Sequence, residues 1–181
     1  MTRYIAFLRA INVGGRTVKM DALRAIFESP GFSNVETFIA SGNVIFETSS
    51  KDHKALEEKI EKKLKEALGY EVVTFIRTDA ELAAIAKYKP FKKTELDAAI
   101  ALNVAFLSEP LDTAAKKKLM TLKTDIDDFH VHEREIYWLC RKKQSESTFS
   151  NVLFEKMVGR RATFRGINTI RKMAEKYPPG N

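Results

Sequence analysis

The chain has 181 residues, of which 44% are hydrophobic and 30% charged, and this composition excludes a disordered or fibrous protein. No apolar run approaches the length of a membrane span, and we expect no signal peptide before the first strand-like segment. The single cysteine, Cys140, has no partner for an internal disulfide, so we expect a reducing, cytoplasmic location.

The positive charge is concentrated at one end of the sequence. The formal net charge is +7, and residues 141–181 contain ten lysines and arginines against three aspartates and glutamates. Acidic and basic residues balance in the first 140 positions. A local excess of this kind attracts anionic partners, although it is also found on surfaces that only aid solubility.

Residues 1–78 follow the order strand, helix, strand, strand, helix, strand. The predicted strands cover residues 4–9, 35–40, 44–47 and 71–77. Apolar residues spaced three or four apart predict helices near residues 20–27 and 56–68. This order is typical of a ferredoxin-like βαββαβ unit.

A connecting segment, residues 79–100, follows this unit. Thr78 and Glu81 have the spacing of a capping box, which predicts a helix as far as about Tyr88, before Pro90. The same order of elements then recurs. The predicted strands cover residues 102–107, 129–132, 136–141 and 162–165, and the predicted helices cover 115–126, 153–158 and 167–177.

The sequence therefore predicts an α+β fold. Two successive ferredoxin-like βαββαβ subdomains, residues 1–78 and 101–181, are joined by a connecting helix and loop. The first strand is apolar on both faces, so both faces of its sheet are expected to be buried. Two arrangements satisfy this expectation, namely stacking of the two halves in a monomer and pairing of two chains in a homodimer.

Several short segments resemble a known bacterial family. The clearest are residues 9–15 (RAINVGG), 19–20 and 37–46, and weaker matches continue at 89–91, 150–151, 162–165 and 168–169. Together they resemble the family catalogued as domain of unknown function 1697. Residues 165–168 (RGIN) depart from the Arg-Asn-Trp common in that family, so an aromatic residue is missing there. The resemblance implies a two-subdomain α+β fold and supplies no activity.

The first candidate site lies where the first strand ends. Ferredoxin-like order places this point beside the turn between the second and third strands. The residues expected at this shared edge are Arg9, Asn12, Gly14, Gly15, Arg16, Lys19, Ser41, Gly42 and Asn43. Glycines let backbone N–H groups approach a ligand closely, and a helix begins just beyond, so the edge is predicted to bind an anion. The alternative is a pair of ordinary turns, because neither glycine-rich nucleotide fingerprint is present.

The second candidate site lies at the end of the last strand, where the closing helix begins. The residues predicted to bind an anion or nucleic acid are Arg160, Arg161, Arg165, Asn168 and Thr169. The predicted topology brings Arg141, Lys142 and Lys143 to the same edge. Positive charge at a helix N-terminus suits phosphate.

Other chemistry receives little support from the sequence. His130 and His132 share a strand face but lack a third metal ligand, so no metal or cofactor is predicted. Cys140 has no assignable base, and no Ser-His-Asp arrangement is evident. The third strand lacks the aromatic pattern of RNA-recognition modules, which disfavours RNA binding on the sheet face.

Three functions remain open at this stage. The favoured one is binding of an anionic ligand, either a nucleotide-like molecule or nucleic acid, because localised positive charge is the clearest unusual feature. The second is an enzyme acting on a phosphorylated or carboxylated small molecule, with its pocket at residues 12–19. The third is a protein-interaction scaffold. No membrane partner is expected, and the sequence does not decide whether the protein is an enzyme.

Overall fold

The computed structural model describes residues 1–12, 14–39 and 42–180. The chain forms two compact units, Met1–Ala86 with Arg171–Asn181, and Lys87–Ile170. Seven α-helices and two four-stranded antiparallel sheets lie within the described residues. The α+β class is therefore confirmed. The subdomain boundaries expected from the sequence, residues 1–78 and 101–181, stay a prediction.

The first unit is built on a sheet with the order β2-β3-β1-β4. Its strands are β1 (Thr2–Leu8), β2 (Ser33–Thr37), β3 (Asn43–Thr48) and β4 (Thr74–Thr78), and its helices are α1 (Met20–Glu28), α2 (His53–Leu68) and α3 (Asp79–Lys87). Each pair of neighbouring strands is antiparallel. The order places β1 in the middle of the sheet, where both its edges are hydrogen-bonded.

Both faces of the first sheet are buried, as the apolar first strand predicts. Successive side chains of a strand point to opposite faces. Ala6 and Leu8 belong to the core that α1 and α2 cover, while Ile5 and Phe7 are fully buried on the other face. Asp52 caps α2 by accepting the Ala55 N–H at 3.0 Å, which satisfies a backbone donor that the helix leaves open.

The second unit is built on a sheet with the order β6-β7-β5-β8. Its strands are β5 (Ala101–Phe106), β6 (Asp127–His132), β7 (Glu135–Cys140) and β8 (Thr163–Gly166), and its helices are α4 (Lys93–Asp97), α5 (Thr113–Met120), α6 (Asn151–Val158) and the start of α7 (Ile167–Lys176). Neighbouring strands are again antiparallel. Both sheets have the same spatial order: the second strand of the unit lies at one edge, followed by the third, the first and the fourth.

The observed helices agree with those predicted from local sequence signals, apart from two differences. The capping box at α3 is present, since Glu81 N–H donates to the Thr78 hydroxyl at 3.1 Å and Thr78 N–H donates to the Glu81 carboxylate at 2.8 Å. The short helix α4 was not predicted. The predicted helix over 115–126 ends early, at Met120, because Thr124 and Asp127 bond to each other in a turn that leads into β6.

No helix within the described residues combines the length and the apolar character needed to cross a bilayer.

Candidate functional site

The loop between β1 and α1 lies beside the turn between β2 and β3. Leu8 N–H donates to the Gly42 carbonyl at 2.9 Å, and Phe7 is the register partner of Asn43. The sheet therefore places Gly42 and Asn43 at the carboxyl end of β1. Ser41, the other residue expected here, lies outside the described residues.

Three hydrogen bonds hold this loop against the first unit. Arg9 N–H donates to the Val73 carbonyl at 2.9 Å, the Tyr70 hydroxyl donates to the Ile11 carbonyl at 2.9 Å, and Val18 N–H donates to Asn12 Oδ1 at 3.0 Å. The loop is anchored at both ends as a result. The side-chain oxygen of Asn12 closes the loop by accepting the Val18 N–H.

Two consecutive glycines form the tip of the loop. Gly14 has φ of 67° and Gly15 has φ of 78°, in the left-handed region that other residues adopt at a cost of about 1–2 kcal/mol. A Cβ atom added at either position would meet nothing within 4 Å. Both are exposed, so glycine is needed here for backbone conformation, and space for an approaching ligand remains open.

Two cations flank the glycines on the side of α1. The guanidinium carbon of Arg16 lies 4.1 Å from the centroid of the Tyr70 ring, a cation–π contact. Lys19 is the exposed N-cap of α1, and its side chain makes no capping hydrogen bond. Asp21, in the first turn of α1, is the acidic group at this helix end. The helix therefore presents backbone N–H groups that no N-cap side chain covers.

The remaining residues of the first site have structural roles. Asn43 is buried, and its amide nitrogen donates to the carbonyls of Phe38 at 3.0 Å and Ile39 at 3.3 Å. Ile39 has a positive φ of 45°, so the turn that Asn43 holds is a strained one. Arg9 is half-buried just after β1. Among its described residues, the exposed residues of this predicted site are therefore Asn12, Gly14, Gly15, Arg16 and Lys19.

The residues of the second predicted site lie at two ends of β8. Arg160 and Arg161 are exposed before Thr163, which pairs with Phe106. Arg160 makes an ion pair with Asp112 at 3.1 Å. Asn168 and Thr169 lie beyond the other end of the strand, in the first turn of α7. The strand separates the two pairs, so the structure does not bring the five predicted residues into one cluster.

Arg165 lies between them, on the sheet face opposite the core under α5 and α6. Its Nη1 donates to the Thr163 hydroxyl and to the Phe164 carbonyl, both at 2.8 Å. Burial lowers the pKa of its guanidinium to about 10. A cation held this way supports β8 and is not displayed to a ligand in solution.

A cluster of aromatic and imidazole rings in the second unit was not predicted from the sequence. The Tyr88 hydroxyl and His130 Nε2 are 2.7 Å apart, and the Tyr88 ring stacks on His132 with centroids 4.0 Å apart. Burial, together with the charge of His132, lowers the pKa of His130. No group of three metal-ligating side chains occurs in the described part of the chain. The spacing of His130 and His132 predicted that they share a strand face. The contact with Tyr88 could not be predicted, because Tyr88 lies in a distant segment of the sequence.

A buried carboxylate network joins β6 and β7 to the segment before α6. Asp127, fully buried, accepts the Trp138 indole N–H at 2.8 Å and the Ser147 hydroxyl at 2.7 Å. The Cys140 thiol donates to the Lys142 carbonyl at 2.9 Å, and burial raises its pKa. The thiol is therefore protonated near neutral pH, and Ser147 is held by a carboxylate that two other donors share. The network stabilises the fold and offers no activated nucleophile.

Comparisons with known proteins bear on the fold and the family of this chain. A family model described as "Protein of unknown function (DUF1697)" matches residues 1–137. A solved structure of the conserved bacterial protein SP0830 from Streptococcus pneumoniae is similar, with a TM-score of 0.76, 22% identity and coverage of 96% of this chain and 97% of that one. This likeness shows a shared fold. No curated protein matches significantly. Because the family model covers most of the sequence, the chain belongs to the DUF1697 family of proteins of unknown function.

Proposed function

We propose that the protein binds an anionic ligand, a nucleotide-like molecule or another phosphorylated compound, at the loop between β1 and α1. The observation that carries the proposal is the position of Gly14 and Gly15, exposed and with positive φ, just ahead of the uncapped N-terminus of α1. Arg16 and Lys19 add two positive charges to the same short segment. Backbone donors, a helix dipole and nearby cations are the elements from which phosphate sites are built.

The preference for binding over catalysis rests on the chemistry of the loop. Residues 9–19 contain cations, amides and a threonine but no carboxyl, imidazole or thiol group. General acid–base catalysis uses histidine and carboxyl groups most often, whereas the titratable side chains at this loop are Lys19 and Tyr70. An enzyme acting on a phosphorylated or carboxylated compound therefore stays the second candidate, and a protein-interaction scaffold the third.

The expected affinity is modest. A helix N-terminus contributes about 0.3–1 kcal/mol at an exposed site, and Asp21 offsets part of this at the same helix end. The Arg16 guanidinium already contacts Tyr70, which reduces the entropy lost when a ligand orders it. Multiply charged ligands should therefore bind better than singly charged ones, since each added charge gains from the same fixed cations.

Two further assignments belong with this proposal. The strand orders support the interpretation of both units as ferredoxin-like βαββαβ repeats. The free, buried cysteine Cys140 is compatible with the cytoplasmic location that the sequence suggests. The protein is proposed to act as a monomer or homodimer.

The test is a titration of the protein with inorganic phosphate, AMP and ATP, followed by isotope-edited NMR of backbone amides. Binding at the loop should shift the amides of residues 14–20 most, and Arg16→Gln should weaken it. Lys62→Gln, an exposed cation on α2, is the control because it removes the same charge elsewhere. Shifts confined to other segments, or equal losses in both variants, would overturn the assignment.

A further inference from the structure

Two helices of the second unit present an excess of positive charge to solvent. α5 and α6 pack beside each other on one core, to which Ala115 and Leu119 contribute from α5 and Phe154 and Val158 from α6. The exposed cations on these helices and on the residues just after α6 are Lys116, Lys117, Lys118, Lys156, Arg160 and Arg161. We call this surface the α5–α6 basic face.

Helical geometry explains why the cations share this face. Residues four apart lie on one side of a helix, so the buried pair on α5 fixes its inner side. Lys117 lies midway between Ala115 and Leu119 and therefore points outward. Lys156 has the same relation to Phe154 and Val158 on α6. The outward direction of these cations follows directly from the pattern of buried residues.

The charges on this face are largely uncompensated. Arg160 pairs with Asp112 at 3.1 Å. No carboxylate within the described ranges of the chain lies at ion-pairing distance from Lys116, Lys117, Lys118, Lys156 or Arg161. Like charges on adjacent helices raise each other's potential, because nothing nearby neutralises them.

The corresponding surface of the first unit behaves differently. There the exposed lysines and arginine of α1 and α2 are interspersed with the exposed carboxylates Asp21, Glu28, Glu58 and Glu66, and Lys63 pairs with Glu66 at 3.2 Å. Both units place two helices on one sheet, so the fold itself does not require a basic outer surface. The excess is a property of the second unit.

We propose that the α5–α6 basic face binds the phosphate backbone of double-stranded nucleic acid, independently of the loop site in the first unit. Long, flexible cations without carboxylate partners suit contacts to phosphates, which give affinity without sequence preference. The exposed large hydrophobic residues on these helices are Met120, Val152 and Met157. With no exposed aromatic ring there to stack on a base, a duplex is favoured over a single strand.

A membrane surface fits the same face less well. Helices that lie in a bilayer interface carry large apolar or aromatic residues, such as tryptophan, phenylalanine and leucine, on the buried side. Here the apolar sides of both helices are already used in the core of the unit. The solvent side offers one valine and two methionines, which supply little area for insertion.

The proposal predicts a strong salt dependence. If about four phosphates are neutralised, the slope of log affinity against log salt should be about −3.6, because each phosphate contributes about −0.9. Raising the salt from about 50 to about 200 mM should then weaken binding by about a hundredfold. The measurement is fluorescence anisotropy of the full chain with a labelled duplex of about twenty base pairs.

Two triple variants with equal net charge separate the face from general charge. The first is Lys117→Gln, Lys156→Gln and Arg161→Gln, and the second is Lys51→Gln, Lys62→Gln and Lys89→Gln, which removes three exposed cations elsewhere. The first variant should reduce the slope by about 2.7 at three lost phosphate contacts, and the second should leave it nearly unchanged. Circular dichroism melts confirm that both remain folded, and Arg16→Gln should not affect duplex binding.

Three results would overturn the proposal. One is the absence of duplex binding at the lower salt. Another is an equal loss in the two triple variants, which would mean that net charge alone drives association. The third is tighter binding to vesicles containing phosphatidylserine than to the duplex, with loss of vesicle binding in the first variant, which would reassign the face to an anionic membrane.

Discussion

Tyr70 connects the two ends of the loop that carries the proposed anion site, because its ring lies under the Arg16 guanidinium. The ring centroid is 4.1 Å from the guanidinium carbon, while the hydroxyl donates to the Ile11 carbonyl at 2.9 Å. One half-buried side chain thus holds the start of the loop by a hydrogen bond and its end by a cation–π contact. These two contacts fix the positions of Ile11 and Arg16, and such preorganisation lowers the entropy cost of binding.

The first prediction separates these two contacts. Tyr70→Phe removes the hydrogen bond and keeps the ring, so it should lower the free energy of unfolding by about 1 kcal/mol. Tyr70→Leu also removes the cation–π contact and should cost about 0.5–1 kcal/mol more, in addition to lost packing. Urea denaturation measures both. Equal losses in the two variants would show that the Arg16 contact contributes nothing to stability.

The second prediction concerns backbone conformation at the loop tip. Gly14→Val and Gly15→Val should each destabilise the protein by about 1–2 kcal/mol, because valine is strained at positive φ. Asparagine tolerates this region better and should cost less. Gly180→Val is the matched control, since Gly180 is exposed, has no positive φ and has open space around its α-carbon. Unchanged melting temperatures for both loop variants would make the loop an ordinary, adaptable turn.

Local signals in the sequence were sufficient for most of the fold. Apolar alternation and apolar spacing located the eight strands and six of the seven helices found in the described residues, and Thr78 with Glu81 marked the start of α3. Helix α4 was missed because five residues are too few for a periodic pattern. The end of α5 was placed too late because Leu122 and Ile126 continue the helical spacing, although the turn at Thr124 and Asp127 interrupts the helix.

The candidate sites were harder to predict, because the sequence does not show which polar side chains form hydrogen bonds with each other or become buried. The topology correctly indicated that Gly42 would approach the end of β1. It did not indicate that the side chains of Asn12 and Asn43 would form hydrogen bonds within the loop and the turn. Nor did charge counting show that Arg165 would be half-buried on a sheet face. The sequence shows on which helix or strand a charged residue lies, whereas tertiary contacts determine whether its side chain is exposed to a ligand.

The third prediction concerns the buried carboxylate of Asp127. Asp127→Asn replaces one acceptor oxygen by a donor, so the donors Trp138, Ser147 and Thr124 must share the single oxygen that remains inside the core. Hydrogen bonds to charged groups contribute about 1.5–3 kcal/mol each, and a loss in that range is expected. Ser147→Ala removes one donor and should cost less. Because Trp138 is the single tryptophan, its fluorescence should shift in Asp127→Asn and change little in Ser147→Ala. A native-like spectrum and stability in Asp127→Asn would contradict the role assigned to the network.

The fourth prediction concerns pH and His130. Burial first, and the charge of His132 second, lower the pKa of His130 below its ordinary value of 6.5, while Asp128 opposes the shift. The unfolded chain therefore binds this proton more tightly than the folded protein does. The free energy of unfolding should have its full value above about pH 6.5 and decline as the pH falls through the lowered pKa of the folded state.

Urea denaturation at several pH values between about 5 and 8 measures this decline. His130→Gln keeps a polar partner for the Tyr88 hydroxyl but cannot be protonated, so its stability should fall less steeply towards acid than that of the unmodified protein. His53→Gln is the control, since His53 is exposed at the start of α2. If His130→Gln and the unmodified protein lose stability in parallel, the proton uptake that destabilises the fold occurs elsewhere. If His53→Gln instead makes the free energy of unfolding less dependent on pH, the assignment of this dependence to His130 would be wrong.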